Sequence, residues 1–125
     1  MVAALAAEAQ LPAARAQDKK DAELIEDGKA FIVEDFGCCD CHKYHDEGSL
    51  GTAPDLTGYA SREWTIGIIN NPAHQRFYGE ENDRMPAYAE SEDDPAKNIL
   101  SHEDVALLAD WLRGDWYEPE AVEGK

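Results

Sequence analysis

Cys38-Cys39-Asp40-Cys41-His42 is the stretch from which the rest of the chain is best read. It has the form Cys-x-x-Cys-His, the attachment signature of a c-type haem. Two thiols three positions apart on one turn can add to the two vinyl groups along one edge of a porphyrin. The next side chain, His42, then lies under the iron and offers it an imidazole nitrogen. Cys38 and Cys41 are therefore the expected attachment residues of one covalently bound haem c, and His42 the expected proximal iron ligand. Two other chemistries use paired cysteines. A thioredoxin-type redox pair needs a strand-to-helix turn inside a βαβ unit, and no strand pattern lies nearby. Half a zinc site needs a second Cys/His pair at zinc spacing, and the chain has only three cysteines. The third thiol, Cys39, sits inside the motif, too close to Cys41 for an ordinary structural disulfide.

Working outward, Asp18 to about Phe36 reads as the first firm helix. Leu24, Ile25, Gly28, Phe31 and Ile32 fall on one face, and Asp21 and Glu23 suit a helix start. Gly28 costs about 1 kcal/mol against alanine inside a helix, which marks it as a point of close approach by another helix. Gly37 is placed to end this helix and turn the chain into the cysteines. Beyond His42, the glycines and proline of Gly51 to Tyr59 predict a tight irregular loop. Ser61 is a good N-cap for a short helix carrying Trp64, Ile66, Ile68 and Ile69, which must stop near Asn70-Asn71-Pro72. Ser101 caps the last helix, with acids in its first turn, Val105, Leu108, Ala109 and Leu112 on one face, and Leu107 and Trp111 beside it. Arg113 and Gly114 close it.

The iron of a haem has two axial positions. Met1, His45, His74, His102 and Met85 are the candidates for the second, and an empty position is the remaining option. His45 follows His42 too closely to reach the opposite face. His102 sits in the first turn of the last helix, where a solvated role suits it. His74 follows Pro72 on a loop and could reach. Met85 lies 43 residues after His42 on a long acidic loop, with Pro86 stiffening it. Core filling explains a methionine there poorly, so Met85 is the favoured distal ligand and His74 the reserve. His/Met ligation raises the reduction potential and suits electron transfer.

Composition sets outer limits. A chain of 125 residues is one domain with tails. The division expected is residues 1–20 as a linker or peripheral segment, 21–114 as the haem domain, and 115–125 as an acidic tail. With 27 acids against 11 Lys and Arg, the net charge is −16. That argues against nucleic acid and anionic membrane surfaces and for redox partners with a basic docking surface. No small-molecule substrate is expected. No stretch approaches the roughly 20 apolar residues of a membrane span, and Glu8 interrupts an apolar start that lacks a basic leader. Haem c is attached on the outer side of energy-transducing membranes. The expected location is thus periplasmic or on the outer face of the cytoplasmic membrane, with an export signal or anchor outside the chain shown.

These features together resemble the small class I c-type cytochromes over roughly residues 24–114. Gly28-Lys29-Ala30-Phe31 is similar to the family's first helix, Ala53 to Gly58 to its proline loop, Arg84 to Tyr88 to its distal methionine loop, and Leu100 to Gly114 to its last helix. The resemblance implies an all-α cytochrome c fold, three or more short helices and long loops wrapped around one haem. It implies that the Pro54 carbonyl accepts a hydrogen bond from His42 and fixes its tautomer. It implies that the last helix crosses the first at Gly28 and Phe31. It further implies single-electron transfer in a respiratory or related chain, not enzymatic catalysis. Gly51 to Tyr59 with Asn70 to Gly79 is similar to cytochrome c domains fused to, or partnered with, bacterial membrane cytochrome b-type quinol-oxidising complexes. Two alternatives stand beside this: a haem enzyme using His74 and Arg76, and a gas-binding sensor whose distal ligand is displaceable. Cys39 and the long acidic insert around Met85 depart from the minimal family pattern.

Overall fold

The computed structural model describes residues 1–115. Among them the chain forms five α-helices: α1 (Val2–Glu8), α2 (Arg15–Lys20), α3 (Ala22–Ala30), α4 (Arg62–Asn70) and α5 (His102–Arg113). No strand forms among the described residues; one isolated antiparallel bridge pairs Tyr44 with Glu47. The expected all-α architecture with long loops is what the chain adopts. No described helix is long and apolar enough to cross a membrane.

The end signals work as their chemistry requires. Ser61 accepts a hydrogen bond from the Trp64 N–H (3.2 Å), and Ser101 accepts one from the Asp104 N–H (3.0 Å), each satisfying a donor that a helix start leaves free. Helix α3 runs on into a wider π turn, Phe31–Asp35, in which the Phe36 N–H donates to the Phe31 carbonyl at 3.1 Å. Gly37 then takes a left-handed conformation (φ +61°) and starts the short 3₁₀ turn Cys38–Asp40, the role expected of it. The periodicity of the sequence carries no mark of the π turn, a geometry found often at functional sites.

Packing departs from expectation at two helices. Val2–Glu8, expected to be linker or peripheral, packs on α3. A Cβ added to Gly28 would lie 2.9 Å from the Ala4 Cβ and 2.8 Å from the Met1 nitrogen. The helix that approaches Gly28 is thus α1 and not α5. The physical reason is size: a run of alanines presents a thin helix that fits the notch a glycine leaves. Helix α5 packs on α4 and buries Val105 and Ala109. Leu112 stays exposed, with Leu107 and Trp111 beside it at 67% and 61%.

Two apolar clusters result. Ala4, Ile32 and Tyr44 are fully buried together, with Leu5, Val33, Cys38, Cys39 and Leu56 packed around them. In the other, the Trp64 ring meets Tyr59 and Phe77 edge-on, with centroids 4.9 and 5.2 Å away. Phe77 lies against Gly67, where a Cβ would come within 2.8 Å of its ring.

Candidate functional site

The Cys38–His42 stretch is a helical turn. The Cys41 and His42 N–H groups both donate to the Cys38 carbonyl, at 3.2 and 2.9 Å. Cys38 is half-buried and Cys41 exposed, and neither is in a disulfide. His42 Nδ1 lies 2.6 Å from the Pro54 carbonyl. A carbonyl only accepts, so Nδ1 carries the proton and the lone pair is left on Nε2, the arrangement a histidine metal ligand needs.

The acceptor is itself fixed. The Leu56 N–H donates to the Lys43 carbonyl (2.9 Å) and the Asp55 N–H to the Arg76 carbonyl (2.8 Å). The buried Trp64 indole N–H donates to the Asp55 carbonyl (2.8 Å). Arg76 bonds the Thr57 carbonyl at 3.2 Å and lies 3.7 Å from the Asp55 carboxylate. On the other flank, the Tyr44 and Glu47 backbones exchange hydrogen bonds of 2.9 and 3.0 Å. Gly48 (φ +73°) lies so close to the His42 carbonyl that any Cβ there would overlap it.

Sequence reasoning missed Glu8. Its carboxylate is 9% exposed and accepts three hydrogen bonds: from the Tyr44 hydroxyl (3.0 Å), from His45 Nε2 (2.7 Å) and from the Gly58 N–H (2.7 Å). It ties α1 to both segments that flank His42. A polar residue interrupting an apolar run was the available signal, and it was visible only as an argument against a leader peptide. Burial first, and then the Glu8 hydrogen bond, push the Tyr44 phenol well above its ordinary range.

Cys39 packs with its sulfur 3.9 Å from the Ile32 carbonyl. Burial first, with Glu47 and Asp40 adding to it, raises its thiol pKa, so it stays protonated and weakly nucleophilic.

The distal candidates separate by their engagements. His45 is bound to Glu8. His74 Nδ1 accepts from the Arg76 N–H (3.1 Å), while the Arg76 guanidinium turns to the Pro54 loop, so the two do not form the acid/base pair an enzymatic reading asks for. His102 Nε2 donates to the Ala89 carbonyl (3.0 Å). Met85 remains 41% exposed on its loop, outside both apolar clusters. That loop returns to α4 through the Tyr88 N–H to the Ile69 carbonyl and the Ala89 N–H to the Asn70 carbonyl, both 3.2 Å.

Two cysteines on one turn, followed by an imidazole whose outer nitrogen is left available, are a chemistry that fits covalent haem attachment. Phe31, Phe36 and Leu108 are apolar side chains left exposed, and the Phe31 and Phe36 rings lie with centroids 5.7 Å apart. A family model, Cytochrome c, matches residues 25–116. The chain belongs to the cytochrome c family and carries covalently bound haem c with its iron, the group through which that family transfers electrons. No curated protein and no solved structure matches the chain.

Proposed function

We propose that this chain is a single-electron carrier in a respiratory or related chain, with Cys38 and Cys41 holding the haem and His42 and Met85 on its iron. The bound haem supplies a one-electron change at iron; no substrate bond is made or broken. The observation that carries the reading is the 2.6 Å contact between His42 Nδ1 and the Pro54 carbonyl. It fixes the ring and its tautomer before any metal arrives. Trp64, Arg76 and Asp55 keep the acceptor in place, so little has to move when charge on the iron changes. A nearly fixed ligand frame suits electron carriage, whereas an enzyme or sensor needs an open or readily displaced position.

The net charge of −16 favours redox partners with a basic docking surface, and the sequence likeness makes a membrane cytochrome b-type complex the partner to try first. The usual site of haem c attachment supports a location in the periplasm or on the outer face of the cytoplasmic membrane. The test is carbon monoxide binding to the reduced holoprotein. Slow, weak binding that becomes fast in Met85→Ala supports a closed His42/Met85 site. Immediate binding by the unaltered protein would favour the enzyme or sensor readings.

A further inference from the structure

Among the described residues, Asn82 is the one side chain that grips the backbone of Met85 itself. Its Oδ1 accepts from the Met85 N–H at 3.2 Å, and its Nδ2 donates to the Met85 carbonyl at 3.0 Å. Both halves of one amide therefore close on both polar groups of one residue, and only one orientation of the amide satisfies both bonds. Asn82 is half-buried and follows the short turn Gly79–Glu81, to which its own N–H is bonded through the Gly79 carbonyl (3.3 Å). Pro86, next in the chain, has no N–H and a fixed φ. The loop is bonded to α4 only from Tyr88 onward. Upstream of that anchor, the two Asn82 bonds are what hold the Met85 backbone.

We propose that Asn82 is a positioning residue that holds Met85 ready for the iron and slows its release, an inference that rests on Met85 being the distal ligand. The neighbouring charged residues take no part in this grip, since Asp83 and Arg84 pair with each other at 3.2 Å and are largely exposed.

Ferric holoprotein and cyanide provide the test, because cyanide binding requires the methionine to leave. In Asn82→Ala the cyanide on-rate should rise about tenfold, the order expected from losing two net hydrogen bonds. Asn82→Asp, which keeps the acceptor for the Met85 N–H and loses the donor, should fall between Asn82→Ala and the unaltered protein. Asp83→Ala should leave the rate unchanged. A purely structural role would lower thermal stability without moving the on-rate in this order. Rates within twofold of the unaltered protein in Asn82→Ala, with Met85→Ala binding cyanide at once, overturn the inference and leave the ligand assignment standing. If the unaltered protein and Met85→Ala bind cyanide alike, the ligand assignment itself fails and the inference falls with it.

Discussion

A Cβ on Gly48 would overlap the His42 carbonyl, and the φ of +73° is one that L side chains enter at a cost of about 1–2 kcal/mol. Gly48→Ala should therefore destabilise the holoprotein by about 2 kcal/mol or more in guanidinium unfolding; a change within about 0.5 kcal/mol would mean that the loop relaxes freely. Pro54 behaves differently, because its carbonyl and not its ring holds His42. Pro54→Ala keeps that acceptor, so it should retain the haem spectrum and lose only about 0.5–1 kcal/mol of loop stiffness. From spacing alone the three cysteines read as two expected attachment residues, Cys38 and Cys41, and one bystander. That Cys39 turns to the Ile32 carbonyl was not legible, because the sequence does not say which way a residue inside the turn points. Denatured holoprotein treated with a thiol reagent should take up one label, on Cys39. Two labels would contradict the attachment through both Cys38 and Cys41.

At the scale of elements, α1 is where sequence reading and structure part most. Residues 1–20 read as a linker or peripheral segment, but alanine adds little to any apolar stripe and still packs tightly where the partner is glycine. Gly28 announced a close approach without naming its partner, since the match between a thin helix and a notch depends on tertiary placement. Ala4 is fully buried there, so Ala4→Leu should cost about 1–3 kcal/mol through overpacking, measured by denaturant unfolding; an unchanged midpoint would put α1 outside the core. The second anchor of α1 is Glu8. The burial of Tyr44 and its hydrogen bond to Glu8 hold the phenol protonated in the folded state beyond the pH at which an unfolded chain loses that proton, near 10. The contribution is whole below pH ~10 and is lost as pH rises beyond it toward the raised folded value. Stability should fall with alkali in the native protein and fall less steeply in Tyr44→Phe. Equal slopes would mean that the Glu8–Tyr44 contact does not govern the alkaline limb.

For the whole molecule, the haem motif, the all-α class and the helix caps could all be read from local chemistry, because each depends on residues close in sequence. The partners of α1 and α5, the π turn and the Glu8 network could not, because each joins segments far apart or a geometry without a residue pattern. The acidic surface acts at the same scale. Association with a basic redox partner should slow steeply between low and physiological ionic strength as salt screens the field, and a rate independent of salt would remove the steering idea. Acidic surroundings favour the ferric state, while thioether ligation favours the ferrous state, so the potential reports their balance. The most direct test of the central claim, a haem closed by His42 and Met85, is the optical spectrum of the ferric protein in the far red, where a weak band reports methionine sulfur on haem iron. The account predicts that the band is present and disappears in Met85→Ala. Its absence from the unaltered protein, together with a high-spin spectrum, would contradict the account.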